Sequence, residues 1–112
     1  MQGMQPASDV VAGQFQQGQV LEQQFQMTYG KCYGAIAVGA GISEMHIQFV
    51  ALQPIPGVPN PVLAEDKTTG SQAVLGGGGQ CFKWSAPIGI NAKVIYTAQS
   101  GGGIAAGRVY VK

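Results

Sequence analysis

The chain has 112 residues, a length that suits one domain with one hydrophobic core. Apolar residues make up 46% of it and charged residues 10%, and the net charge of +1 comes from scattered single charges rather than from a cluster of Lys and Arg. This composition excludes the basic surface on which nucleic-acid binding depends, and every apolar run is too short for a transmembrane helix. We therefore expect no nucleic-acid partner and no transmembrane segment.

The N-terminal segment is rich in Gln, and Gly13 and Gly18 interrupt any helix in it. Residues 1–18 therefore predict a flexible Gln-rich arm. The first residues have neither a basic nor an apolar signal region, so an exported form would have lost its signal or would use another route. From Leu21 to Met27 the pattern has the period of two that a half-buried strand requires. We expect a strand over 19–28, which begins a single domain covering 19–112.

The middle of the chain continues with strand patterns. Residues 32–38 are mostly small or β-branched and suit a sheet that is buried on both faces, and the glycines within 39–41 are expected to end that strand. Residues 45–49 alternate between apolar and polar side chains, with the apolar set predicted to face inward. Four prolines within 54–61 predict a long extended loop, because proline cannot donate to a β-ladder.

The C-terminal half repeats this pattern of short strands and glycine-rich turns. Gly76 to Gly79 predicts a loop, and Gly101 to Gly103 predicts a turn before the last strand. The remaining segments with strand character are 62–64, 73–75, 82–84, 93–98 and 108–112. In total, seven or eight short strands without a persuasive helix are typical of an all-β fold, specifically an antiparallel β-sandwich that is jelly-roll-like.

The two cysteines, Cys32 and Cys81, each lie at the start of a strand-like segment. One inter-strand disulfide is the simplest interpretation, and it would close a loop of about 50 residues and restrict the unfolded state by about 4 kcal/mol. Such a bond indicates an oxidising compartment. The alternative is a pair of buried free thiols, which act as small apolar core residues. A zinc site needs more ligands than two distant thiols and one histidine supply.

Residues with catalytic or metal-binding chemistry are few. His46 is the only histidine and falls on the polar phase of its strand, which favours a solvated surface residue over a general base. Glu65 and Asp66 are adjacent, so a strand would direct their carboxylates to opposite sides, unlike the facing pair of a glycosidase. A salt-bridged or solvated turn is the simpler interpretation of this pair, and a calcium site completed by backbone carbonyls is the alternative. We expect no enzyme activity and no cofactor.

Trp84 is the only tryptophan. Packing against the bridge between Cys32 and Cys81 is one role that its position predicts, as in immunoglobulin-like cores. The alternative is an exposed ring that stacks on a sugar in a carbohydrate-binding module.

Several short segments together resemble small exported bacterial β-sandwich domains of the pre-peptidase C-terminal kind, over most of 19–112. The resemblance implies a non-catalytic, extracytoplasmic accessory or structural module. The loop acids that bind calcium in such domains are reduced here to Glu65 and Asp66. The matching segments, in chain order, are Gly30-Lys31-Cys32-Tyr33, the stripe through Ile47, Leu63-Ala64-Glu65-Asp66, Gln80-Cys81-Phe82-Lys83-Trp84 and Val109-Tyr110-Val111.

We therefore expect a secreted or surface-exposed module with a structural or adhesive role, including self-assembly. The low charge and the Gln-rich strand favour self-association or contact with another surface protein, because they reduce electrostatic repulsion between subunits. Two alternatives remain: a module that binds carbohydrate or another ligand, and a decoration protein of a phage capsid.

Overall fold

A computed structural model describes the chain over residues 4–52, 62–66, 68–76, 81–84 and 89–112. These residues form an all-β fold of eight antiparallel strands. No helix of the length and apolarity needed to cross a bilayer occurs within these ranges. The predicted loop at 54–61 lies outside the described residues, as do residues 77–79 of the loop predicted at 76–79. The strands are β1 (Gln5–Pro6), β2 (Val11–Phe15), β3 (Val20–Met27), β4 (Cys32–Ala51), β5 (Val62–Glu65), β6 (Gln72–Leu75), β7 (Phe82–Lys83) and β8 (Ile90–Val111).

Two long strands, β4 and β8, form the centre of the fold. They pair with each other antiparallel from Tyr33 with Val111 to Ala51 with Ala92, and their register shifts between Ala40 and Met45. These shifts are β-bulges, which bend a strand and increase its twist. Each long strand therefore continues from one layer of the fold into the other.

Glycine permits this bend. Gly41 and Gly101 have φ angles of 86° and 81°, in the left-handed region that favours glycine. A Cβ atom on Gly41 would lie 2.7 Å from the carbonyl oxygen of Gly102, so a side chain would block the close approach of the two backbones. The prediction that the glycines at 39–41 and 101–103 end strands was wrong, because both long strands continue through them.

The bend produces two layers that face each other. One layer contains β1, β2, the C-terminal half of β8, the N-terminal half of β4, β6 and β7, and the other contains β3, the remaining halves of β8 and β4, and β5. The ring of Phe25 in β3 lies 5.8 Å from the ring of Tyr33 in the opposite layer. The N–H of Thr28 donates to the Tyr33 hydroxyl at 2.7 Å. The molecule is thus a β-sandwich, as predicted.

The core follows the predicted alternation. Met45, Ile47 and Phe49 are fully buried, and the residues between them are partly exposed. In β3 the inward phase ends with the buried Phe25 and Met27. The other large side chains that are fully buried are Ile42, Ile90, Val94, Tyr96 and Val109. Full burial of side chains of this size stabilises the fold by about 1.5–3 kcal/mol each.

The N-terminal segment differs from the expected flexible arm. Within 1–18, β1 and β2 both pair with β8. The Phe15 side chain is buried at 4% exposure, and Val11 and Gly13 precede it on the same, more buried phase of β2. Burial of the apolar Phe15 side chain stabilises the pairing of this segment with the sheet, although the segment contains glycines.

The disulfide between Cys32 and Cys81 confirms the sequence prediction. Cys32 begins β4, Cys81 directly precedes β7, and their Cα atoms lie 5.5 Å apart. The bond therefore joins the first residue of β4 to a residue 49 positions later in the chain.

Candidate functional site

Asp66 is the one charged residue that is buried among the described residues. Its Oδ1 accepts a hydrogen bond from the backbone N–H of Ile47 at 2.8 Å and lies 2.6 Å from Nδ1 of His46. Its Oδ2 accepts from the hydroxyl of Thr68 at 2.8 Å. The cost of burying the carboxylate is therefore offset by hydrogen bonds to both oxygens. We call Asp66, His46 and Thr68 the carboxylate cluster.

The end of β5 places Asp66 at this position. Ala64 pairs with the buried Phe49, so the alternation of β5 directs the side chain of Asp66, two residues later, inward as well. The N–H of Asp66 also donates to the carbonyl oxygen of Ile47 at 3.0 Å. Asp66 thus satisfies both backbone groups of Ile47 where β5 ends.

The segment after Asp66 is held against β4 by further hydrogen bonds. Oε2 of Glu44 accepts from the N–H of Gly70 at 2.5 Å, and the N–H of Met45 donates to the carbonyl oxygen of Gly70 at 2.8 Å. The hydroxyl of Thr68 accepts from the N–H of Val74 at 3.1 Å. These contacts fix the connection between β5 and β6 relative to the carboxylate cluster.

His46 is less solvated than predicted. It lies on the polar phase of β4, as expected, but its side chain is only 20% exposed because it packs beside Asp66. A short contact from Nδ1 to a carboxylate oxygen requires a proton on Nδ1, which leaves Nε2 to act as the second donor or acceptor. The hydroxyl of Thr68 bonds to the carboxylate and not to the imidazole, so these three residues are not arranged as a nucleophile, a base and an orienting acid.

The structure does not bring Glu65 and Asp66 together as a pair of calcium ligands. Glu65 is exposed and its Oε1 accepts from Nε2 of Gln48 at 3.0 Å, whereas Asp66 points inward. No group of three or more His, Cys, Asp or Glu side chains suited to a metal occurs in the described part of the chain.

A shallow, open depression of about 710 Å³ lies next to the carboxylate cluster. Hydroxyl, amide and backbone groups line most of it, and its lining within the described part of the chain includes neither an aromatic nor a charged side chain. These described residues therefore offer hydrogen bonds to a polar group but no surface for stacking on a ring. The lining residues are Thr68, Thr69, Gly70, Ser71, Gln72 and Val74.

Trp84 is buried, at 5% exposure, as the prediction of a core role requires. Its backbone N–H donates to the carbonyl oxygen of Lys31 at 2.9 Å, and its backbone carbonyl oxygen accepts from the N–H of Gly30 at 2.9 Å. These bonds place Trp84 beside the residue that precedes Cys32. Its indole ring is therefore not available for stacking on a sugar, whereas the side chain of Tyr29 is 61% exposed.

The carboxylate cluster was not predicted from the sequence. The sequence does contain one indication that Asp66 is buried. Asp66 follows Ala64 by two residues, so the alternation of a strand directs both side chains to the same, inward side. The partner, His46, lies twenty positions earlier, and only the pairing register of β4 with β5 brings the two together.

No model of a known protein family matches the sequence, and no curated protein matches it either. Solved structures do resemble the fold. The pre-peptidase C-terminal domain of a collagenase from Bacillus anthracis is 13% identical with a TM-score of 0.61, over 90% of this chain and 87% of that domain. A periplasmic inhibitor of g-type lysozyme from Aeromonas hydrophila is 12% identical with a TM-score of 0.54, over 96% of this chain and 88% of the inhibitor.

A third similar structure is a protein from Sulfurospirillum deleyianum. It is 7% identical with a TM-score of 0.51, over 95% of this chain and 99% of that one. Identities this low carry information about the fold alone. The chain therefore has a β-sandwich fold similar to that of a pre-peptidase C-terminal domain, as the sequence resemblance implied.

Proposed function

We propose that this chain is a non-catalytic module that acts outside the cytoplasm in a structural or adhesive role. The observation that carries the proposal is the disulfide between Cys32 and Cys81 within this sandwich. Disulfides persist in oxidising compartments and are rare where thiols are kept reduced. Two similar folds support the same location, since one is a domain of a bacterial collagenase and the other is described as periplasmic.

The geometry of the carboxylate cluster supports the absence of catalysis. The contacts of Asp66 with His46, Ile47 and Thr68 hold the connection after β5 against β4. This is a structural use of a buried carboxylate. The cluster also lacks a hydroxyl that is hydrogen-bonded to the imidazole, which acyl-transfer chemistry requires.

The surface supports a role in assembly or adhesion. Charged residues make up only 10% of the chain, so repulsion between neighbouring subunits is weak. Several large apolar side chains are exposed on it, and they favour contact with another surface protein or with copies of the same chain. These side chains are Val10, Val20, Tyr29, Val38, Leu52 and Ile104.

The carbohydrate-binding alternative is less well supported, because Trp84 is buried and none of the described residues that line the depression beside the carboxylate cluster is aromatic. Cell fractionation of the producing organism tests the main proposal. We expect the chain outside the cytoplasm, sedimenting with surface material or as a particle larger than one subunit. A cytoplasmic chain with reduced cysteines would contradict the proposal. A trimer on a phage capsid would instead support the decoration alternative.

A further inference from the structure

β3 has one edge without a partner strand among the described residues, since it pairs with β8 alone. The N–H of Ala98 donates to the carbonyl oxygen of Gln19 at 3.1 Å. In an antiparallel pair, alternate residues bond to the neighbouring strand. The odd-numbered residues of β3 therefore bond to β8, and Val20, Glu22, Gln24 and Gln26 direct their backbone N–H and C=O groups to the open edge.

The sequence of β3 itself contains none of the usual features that prevent strand pairing. β3 has eight residues, whereas β1, β2, β5, β6 and β7 have two to five. It contains no proline and no lysine, and its single charge, Glu22, already contacts Nζ of Lys93 at 3.2 Å. Short strands, proline and lysine are devices that prevent edge-to-edge association in soluble proteins.

A second copy of β3 fits this edge in one particular antiparallel register. With Gln23 opposite Gln23 of the second copy, Glu22 lies opposite Gln24 and Val20 lies opposite Gln26. All the edge-facing backbone groups of these four residues then find partners. Residues that lie opposite each other across this contact direct their side chains to the same face of the sheet. The carboxylate of Glu22 then lies opposite an amide rather than another carboxylate.

Gln23 provides an independent observation for this register. Its Oε1 atom is buried and has no hydrogen-bond partner among the described residues. A buried polar atom without a partner is costly and calls for an explanation. On the two-fold axis, the amide of Gln23 of the second copy lies directly opposite in a non-hydrogen-bonded pair, where Cα atoms approach to about 4.5 Å. That amide can donate to the unpaired oxygen.

We propose that the open edge of β3 binds β3 of a second copy of this chain, antiparallel, with Gln23 of the two copies facing each other on the two-fold axis. The inference rests on the proposed role in assembly and specifies the contact that performs it.

The first test compares two substitutions at the same position, measured by light scattering over a range of concentrations. Gln24→Pro removes an N–H that faces the open edge, which an edge strand tolerates. Because the two-fold axis doubles the loss, we expect the dissociation constant of the dimer to rise about 5- to 150-fold. Gln24→Ala keeps the N–H and should have a smaller effect. Circular dichroism checks that both variants fold.

The second test reads the register directly. Gln23→Cys places two thiols opposite each other on the axis, within the distance that a disulfide spans, and should form a covalent dimer in air. The matched control, Gln24→Cys, faces Glu22 of the second copy and should remain largely uncrosslinked. If the protein forms an oligomer that Gln24→Pro does not weaken and that Gln23→Cys does not crosslink, the proposed β3 contact is wrong, but the proposed function is not affected. A monomer at every concentration also overturns the contact, and cell fractionation then decides the proposed function separately.

Discussion

Gly107 lies where the two layers meet and has no room for a side chain. A Cβ atom there would lie 2.6 Å from Cε1 and Cζ of Tyr96, whereas ordinary contacts begin at 3.4 Å. Both residues belong to β8, eleven positions apart, and they face each other because the strand bends between them. The variant Gly107→Ala therefore requires the ring or the backbone to shift by roughly 1 Å within a close-packed core.

We expect Gly107→Ala to destabilise the fold by about 1–2 kcal/mol. Overpacking of this kind costs about 1–3 kcal/mol, and the reduced entropy of the unfolded chain offsets about 0.4–1 kcal/mol of it. The melting temperature should fall by about 5 °C for each kcal/mol in a domain of this size. Urea denaturation, read as the midpoint at constant m-value, measures the change.

The matched control is Gly13→Ala in β2, where the new Cβ would lie 3.8 Å from Cδ2 of Leu21, an ordinary contact. We expect this variant to be neutral or slightly stabilising. A double variant that also carries Tyr96→Leu should recover part of the loss caused by Gly107→Ala, because leucine lacks the ring atoms that clash. Equal stability of Gly107→Ala and Gly13→Ala would refute the folded-over arrangement of β8.

Three further predictions follow from the buried polar groups. Asp66→Ala should destabilise the fold by about 2–4 kcal/mol, because its hydrogen-bond donors lose their acceptor; thermal melts measure this. Chelation with EDTA should leave the melting temperature unchanged, because protein donors already occupy both oxygens of Asp66. Burial, with a smaller contribution from Tyr110, raises the pKa of Tyr96 well above its usual value of 10.0. As the pH rises, Tyr96 therefore loses its proton in the unfolded chain before it does so in the folded one. The contribution of Tyr96 to stability is present in full below pH 10 and is lost above it, by up to about 1.4 kcal/mol per pH unit. Tyr96→Phe should reduce that loss.

Controls distinguish these predictions from general effects of substitution. Glu65→Ala, at an exposed neighbour of Asp66, should change stability by less than about 0.5 kcal/mol. A similar loss from both alanine variants would contradict the structural role of Asp66. A drop of several degrees with EDTA would instead indicate a calcium site. Alkaline unfolding curves that are the same for the native chain and for Tyr96→Phe would contradict the raised pKa.

Much of the fold was predictable because the strands alternate clearly. The stripe of Met45, Ile47 and Phe49 identifies its own inward face, since side chains on a strand point alternately to its two sides. The cysteine pair was equally informative, because each thiol begins a strand-like segment.

The glycines at 39–41 and 101–103 led to a wrong prediction of strand ends, because glycine is common both in turns and in β-bulges. Gly41 and Gly101 adopt positive φ angles, which also suit a turn, and whether the strand continues depends on the pairing of β4 with β8 on both sides. Likewise, Gly13 concealed the alternation that ends at the buried Phe15. The pair of His46 and Asp66 was not predictable for a related reason, since their contact depends on the register between β4 and β5.

The thiol state of the native protein shows whether Cys32 and Cys81 form a disulfide, the bond that carries the proposed location outside the cytoplasm. The measurement is the intact mass after alkylation of protein isolated without reductant, followed by mapping of the linked peptides. We predict no alkylation before reduction, two alkylated cysteines after it, and a peptide that contains Cys32 linked to one that contains Cys81. Alkylation of both cysteines in the unreduced native protein would contradict both the disulfide and the proposed location.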